Sequence, residues 1–368
     1  MKYSLIADKY KVSKVGLGGH YKRLEEGVYD NSYALLTKEE MALRREIISR
    51  AYEGGINYFD TTWRNESDML ASNLYDLGIK NGIFINGMVL GAFSGSKVLG
   101  ETPCEYVDRW LNDRLCKLRG YHYNSFMINA IEEDYDGEQC AILVDHLENR
   151  RRDGDFDVLG ISCHDHFLAR RVVDAFPQIK LVMTAYNYKN RTFEEAFKNY
   201  VGNASFVAMK PLIWFEYGIP ICRVNDLPAA NRLLGGSKDH NLPTRSIRWI
   251  LSRPLINLSI CAVNSIEEVD ALIASTDGEL SDSDCEVLEA YRQAAEKDNH
   301  LPFLIAGVLG NPDNSRSMYY GLKSLSDAIG VPMREIRMNV SDTEKQMLDF
   351  RDELFTILEE KGLKKYME

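Results

Sequence analysis

Residues 37–60 read TKEEMALRREIISRAYEGGINYFD, and the order of signals inside this stretch decides the fold. Thr37 followed three residues later by Glu40 is a capping box, in which each side chain satisfies a backbone N–H that the first helical turn leaves unpaired. An amphipathic run, Lys38–Tyr52, follows. Gly54-Gly55 then stops it, since glycine alone adopts the left-handed backbone of a helix end without steric cost. Asn57–Asp60 comes next as a short apolar strand ending on an acid. Helix, stop, strand is one crossover unit of a parallel sheet.

Working outward, the same unit recurs. Strands are expected at Lys14–Gly18, Asn57–Asp60, Ile83–Asn86, Ser125–Asn129, Val158–Ser162, Leu181–Ala185, Phe206–Lys210 and Leu258–Ala262. Helical stretches such as Ser67–Leu77, Cys104–Leu118, Gln139–Arg151, Phe167–Ala175 and Arg245–Leu251 separate them. Eight buried-type strands alternating with helices predict an α/β fold, a (β/α)8 TIM barrel, over residues 1–276. Beyond that the alternation ends. Glu279–Glu296, Ser317–Ile329 and Ser341–Lys361 read as helices, so residues 277–368 are expected to form a helical C-terminal extension packed on the barrel.

Composition narrows the function. The net charge of −11 disfavours nucleic acid as a partner, because phosphate binding draws on a surplus of Lys and Arg. No run approaches the ~20 apolar residues of a membrane span. The seven cysteines are scattered with no C-x-x-C pair, which suits reduced thiols in the cytoplasm. The opening MKYSLIADKYK lacks the apolar core of a secretory signal. Arg150-Arg151-Arg152, interrupted by Asp153 and Asp155, reads as a solvated helix end. A small-molecule ligand is the expected partner; the oligomeric state is left open.

In a barrel of this type the chemistry sits where the strands end. His20 follows the first strand; Asp60, Trp63 and Arg64 follow the second; Asn86 the third, Asn129 the fourth, and Ser162, His164 and His166 the fifth. Tyr186 and Lys210 end the sixth and seventh, and Ser265 opens the helix after the eighth. Asp60 is a candidate base or a rim acceptor. Arg64 is a candidate cation for a carboxylate or phosphate, or a surface residue. His164-Asp165-His166 invites a metal reading, but a closed site needs ligands from other strands, so no metal is expected.

Several of these stretches resemble the aldo-keto reductases. Residues 54–61, GGINYFDT, resemble that family's strand-two motif, and residues 12–18, VSKVGLG, its opening. Gly160-Ile161-Ser162-Cys163-His164, Tyr186-Asn187 and residues 207–212, VAMKPL, follow in the family's order. Residues 280–291 resemble the helix that, in one branch, precedes an iron–sulfur segment; the stretch after it holds no cysteine, so no cluster is expected.

The resemblance implies a catalytic Asp, Tyr, Lys and His. Asp60 matches the Asp. The Tyr would fall within Trp63–Asn65, the Lys at Gly87 or Met88, and the His at Asn129, so three of the four roles are vacant. The Gln that holds the nicotinamide carboxamide aligns with Met183, and the strand-eight Gly is Ala262. NADP is therefore allowed by the resemblance but not expected; Ser162 and the helix start at Ser265 are the positions that would touch it.

The reading is an aldo/keto reductase family protein with a degenerate tetrad. It would be an enzyme on a small polar or carbonyl-containing metabolite, by isomerase- or lyase-like chemistry with Asp60, Arg64 and His164. His20, Trp63, Asn86, Asn129, Tyr186 and Lys210 would bind substrate. The alternatives are an NAD(P)H-dependent oxidoreductase with a substitute proton donor such as Tyr21 or Tyr186, and a non-catalytic ligand-binding or scaffold protein.

Overall fold

The computed structural model describes residues 1–20, 37–62, 64–129, 137–214, 219–220, 241–296, 301, 304–305, 321–323, 325–326, 328–334 and 343–363. An antiparallel hairpin opens the chain, β1 (Tyr3–Ile6) against β2 (Tyr10–Ser13). It is absent from the expectations above, because its alternation is only four residues deep on each side.

The barrel follows as β3 (Val15–Leu17), α1 (Lys38–Glu53), β4 (Tyr58–Thr61), α2 (Arg64–Asp76), β5 (Phe84–Val89), α3 (Ala92–Leu99), α4 (Pro103–Lys117) and β6 (Tyr123–Asn129). It continues with α5 (Gly137–Arg152), β7 (Phe156–Cys163), α6 (His166–Ala175), β8 (Leu181–Ala185), α7 (Thr192–Ala196) and β9 (Ser205–Met209). After a short hairpin, β10 (Ile213–Trp214) with β11 (Ile219–Pro220), come α8 (Leu242–Leu251), β12 (Ile256–Cys261), α9 (Ile266–Ala274) and α10 (Asp282–Glu296). The strands β3 to β9 and β12 close a parallel barrel, with β12 beside both β9 and β3. All eight strands expected from sequence are present, with differences confined to their ends.

Local chemistry accounts for the framework. Thr37 accepts from Glu40 N while Glu40 returns to the Thr37 N–H, and Thr102 does the same with Glu105 at the start of α4. Gly55 takes the positive φ of 89° that turns the chain out of α1. Side chains alternate along each strand, so Tyr58, Phe84, Met88, Met127, Val158, Leu181, Met183, Val207, Leu258 and Ile260 fill the interior. Ile6 and Val12 of the opening hairpin join that cluster and close its N-terminal end. Asn57 pins the hairpin there, accepting from Ser13 N at 2.6 Å and donating to Lys11 O at 3.0 Å.

The basic run at the end of α5 is held by its own surroundings: Arg150 pairs with Asp108 and Asp155, and Arg151 with Glu148.

The chain divides into two compact units. The first contains the eight barrel strands and ends within α10, at Cys285. The second includes β10–β11 and the described residues from 286 onward, among them α11 (Thr343–Glu360). Met347, Phe350, Leu354 and Leu358 share one face of α11 and pack with Leu304, Ile305, Leu322, Leu325 and Ile329 into a core of that unit's own. The expected helix 317–329 lies partly outside the described residues. No described helix is long and apolar enough to cross a membrane.

Candidate functional site

At the C-terminal end of β4, the strand's alternation turns Asp60 inward, one layer above Tyr58, whose ring stacks on Phe84 at 5.1 Å. Register sets Asp60 opposite Asn86, and Asn86 opposite Ser125. Three side chains thereby form a chain: Ser125 Oγ donates to Asn86 Oδ1 at 2.5 Å, and Asn86 Nδ2 donates to Asp60 Oδ1 at 2.6 Å. Thr62 Oγ1 donates to Asp60 Oδ2 at 3.3 Å. Asp60 is 6% exposed. Burial, which disfavours the charged form, raises its pKa to about 6; the Asn86 bond opposes this and the nearby Glu66 adds to it, with His20 and Thr62 acting against.

Glu66, on the first turn of α2, is the partner that sequence reasoning missed. Its carboxylate is 1% exposed, accepts from the Thr62 N–H at 2.5 Å and meets His20 Nδ1 at 2.7 Å. The backbone of Gly19 passes so close that a Cβ there would lie 2.6 Å from Glu66 Oε2 and from the Asp60 carbonyl. Behind this group Arg114 of α4 is fully buried, donates to the Thr62 carbonyl at 2.6 Å and lies over the Trp110 ring. Burial lowers its pKa, with Tyr123 and Glu66 opposing. Half of the His20 side chain is open to solvent, yet its ring lies deep enough for burial to disfavour charge. The charge of Glu66 and the bond to it outweigh that and raise the His20 pKa; Asp60 adds to the rise and Lys210 opposes it.

A crevice with room for about one water molecule runs beside these groups, lined among others by Gly19, Arg44, Asp60 and Glu66. The signal for Glu66 was a Thr followed by Glu four residues on at a strand end. The same device recurs after β12, where the Asn264 N–H donates to Glu268 Oε2 at 2.6 Å.

Of the residues singled out from sequence, His20, Asp60, Asn86 and Lys210 act on one another through hydrogen bonds or charge. Lys210 ends β9 with a positive φ of 55°, and its carbonyl accepts from Asn187. The side chain of Arg64, and Trp63 altogether, lie outside the described residues, as does Tyr21. Asn129 is buried and donates to the Ser162 carbonyl at 3.3 Å, which places both at the ends of β6 and β7.

His164 follows β7, half-buried. Its two companions have structural work: Asp165 caps α6, accepting from Phe167 N and Leu168 N, and His166 Nε2 lies 2.7 Å from the Ala185 carbonyl. Tyr186 follows β8 directly. It is fully buried against Phe193 and Trp249, and its hydroxyl donates to Glu194 at 2.7 Å, which with burial raises its pKa.

Gly87 and Met88, where the resemblance would put a lysine, face opposite sides of β5. Gly87 faces outward, where a Cβ would lie 2.7 Å from the Tyr123 ring, and Met88 packs into the barrel core. The inward residue beside Asp60 is Asn86, an amide that donates a hydrogen bond without bringing charge.

Two positions that the resemblance sets beside a nicotinamide dinucleotide are engaged within the chain itself. Ser265 caps α9 by accepting from Glu268 N at 3.3 Å, and Glu268 takes the Asn264 N–H. The side chain of Glu267 is held by its own N–H and by Ser265, which lowers its pKa. A helix N-terminus attracts an anion through free N–H groups, and here the Glu268 N–H is taken by Ser265 and the Glu267 N–H by its own carboxylate. Met183 is buried in the apolar core, where no carboxamide could be held. Among the described residues no group of three or more His, Cys, Asp or Glu is placed to hold a metal.

No family model matches the chain, and no curated protein matches it in sequence. Solved structures do match in fold. A thermostable aldo-keto reductase, Tm1743, in complex with the inhibitor epalrestat, superposes with a TM-score of 0.60 at 16% identity, covering 79% of this chain and 100% of that one. Aldo-keto reductase AKR11C1 from Bacillus halodurans gives 0.57 at 17%, covering 80% and 96%. An aldo/keto reductase from Klebsiella pneumoniae, in complex with NADP and acetate, gives 0.57 at 14%, covering 81% and 98%. The chain has the fold of these reductases.

Proposed function

We propose that this chain is an aldo/keto reductase family protein that has left hydride transfer. On this reading it is an enzyme acting on a small polar or carbonyl-containing metabolite by proton transfer, of the isomerase or lyase kind. The observation that carries the reading is Asp60: a buried carboxyl at the catalytic end of the barrel, with a pKa of about 6 and its two oxygens fixed by Asn86 and Thr62. A base works best when its pKa lies near the operating pH, where enough is ionised and the proton still has reason to move. A carboxylate tied to a lysine would be too weak a base for this. Asn86 in the neighbouring inward position leaves Asp60 basic. Arg64 and His164, from the ends of β4 and β7, would bind the substrate's polar groups.

One observation favours a second reading: two of the similar structures come from Klebsiella pneumoniae proteins in complex with NADP and with NADPH. A reductase of that kind needs a proton donor in place of the absent tyrosine, and the capped start of α9 weighs against the cofactor.

The test is carbon–hydrogen exchange. Pyruvate, dihydroxyacetone and glyceraldehyde would be incubated with the protein in D2O without nicotinamide, and deuterium at the carbon next to the carbonyl followed by NMR. The wild type is expected to speed exchange on at least one of them, with Asp60→Asn slower by about 10²–10⁴-fold. Exchange that is as fast in Asp60→Asn as in the wild type would retire the reading.

A further inference from the structure

The geometry points to His20, clamped by Glu66, as the acid that works opposite Asp60; this rests on the proton-transfer reading above. Three observations carry it. His20 is the titratable side chain beside Asp60 that keeps half its surface open, so a substrate can reach it. Its Nδ1 is fixed on a carboxylate that is itself immobilised, 1% exposed and held by the Thr62 N–H. A histidine whose Nδ1 hydrogen-bonds a carboxylate is oriented, favours the imidazolium form and carries a proton on Nε2. Finally, the charges facing His20 come from three elements: Glu66 on α2, Asp60 on β4 and Lys210 at the end of β9. The two carboxylates favour a protonated ring, and Lys210 keeps its proton transferable.

The pair divides the work. Asp60 takes the proton from the carbon next to the carbonyl, and the C–H electrons become the C=C bond of an enol. The carbonyl π electrons move to oxygen, which takes the proton from His20 Nε2. Reversal returns the Asp60 proton to the same carbon and the enol proton to His20; where the first carbon bears a hydroxyl, Asp60 can instead protonate the former carbonyl carbon while His20 takes that hydroxyl's proton, and both groups are restored. No oxidant or reductant is consumed. Glu66 is a positioning residue: it touches His20 and not the reacting atoms.

The test has two readouts on the full chain. In the first, imidazole NMR of the seven histidines is followed against pH, with His20→Gln assigning the signal. His20 is expected to titrate above the ordinary value of about 6.5, and Glu66→Gln is expected to bring it down. Glu66→Asp, which keeps the charge, serves if the amide variant does not fold. A His20 that titrates at or below about 6.5 and ignores both substitutions overturns the inference.

The second readout is the pH profile of deuterium exchange. The wild type is expected to be bell-shaped, with an acid limb near a pH of about 6 from Asp60 and an alkaline limb from His20. His20→Gln is expected to lose the alkaline limb and at least roughly a hundredfold in rate. If His20→Gln keeps rate and limb while Asp60→Asn does not, the inference fails and the Asp60 reading stands. If Asp60→Asn also keeps its rate, the reading itself has failed.

Discussion

Replacing Asp60 with asparagine should stabilise the protein at neutral pH while slowing the proposed proton transfer. The carboxyl has a pKa of about 6 in the folded chain against an ordinary 3.8. At about 1.36 kcal/mol per pH unit, holding it ionised in the fold costs about 3 kcal/mol. The sign follows from proton binding. Below 3.8 both states hold the proton and nothing is lost. Between about 4 and 6 the unfolded chain releases its proton while the folded chain keeps it, so stability falls as pH rises; above about 6 the full cost persists. The substituted amide carries no such cost, and its oxygen can still accept from Asn86.

Hydrogen bonds weakened by the amide shift the variant equally at every pH and cancel in the difference between two pH values. That difference, worked from the two pKa values, is about 2 kcal/mol between pH ~4.5 and ~7.5. Urea unfolding of wild type and Asp60→Asn at both values measures it directly. A variant destabilised by the same amount at both would show that Asp60 is not held against its own ionisation, and the argument for a base would lose its footing. A residue that costs stability in a well-packed barrel is expected at a working site.

Other outcomes follow from the same contacts. Gly87→Ala would drive a Cβ to 2.7 Å from a Tyr123 ring that is pinned by its hydroxyl on Ser67, and should cost about 1–3 kcal/mol in urea unfolding; unchanged stability would mean the ring gives way. Tyr186→Phe removes the bond to Glu194, for a loss of about 1 kcal/mol and a fall of a few degrees in Tm; a larger loss would mean that the hydroxyl carries more than this bond. Arg114→Met strips a buried cation from beside Glu66 and Thr62, and should cost about 3 kcal/mol. The cost should shrink in a Glu66→Gln background, and equal costs in both would separate the two residues.

How much of this was legible in the sequence differs between the frame and the site. Thr37, Glu40, Gly54 and Gly55 fixed a helix and its exit because capping and glycine chemistry act within a few residues. The strands announced themselves through apolar runs buried on both faces. The opening hairpin was hidden, since Ile6 and Val12 look like ordinary surface alternation until the barrel end closes over them.

At the site, Asp60 and Asn86 could be read from strand-end position. Glu66 shows in the sequence only as a spacing from Thr62: a carboxylate on the first turn of a helix is ordinarily a solvated cap, and only the approach of Gly19 and His20 buries it. The surroundings of Tyr186 were hidden for a different reason. This residue ends an inward-running strand, but its ring turns into the aromatic layer of Phe193 and Trp249, a contact made by residues that follow it in the chain.

The measurement that bears most directly on the proposed departure from hydride transfer is a titration with NADPH and NADH, followed by cofactor fluorescence and thermal shift. With Glu268 and Ser265 occupying the start of α9 and Met183 in the core, the expected result is no saturable binding up to millimolar cofactor. Saturation at micromolar concentration, with a rise in Tm, would contradict the account and return the protein to the reductases.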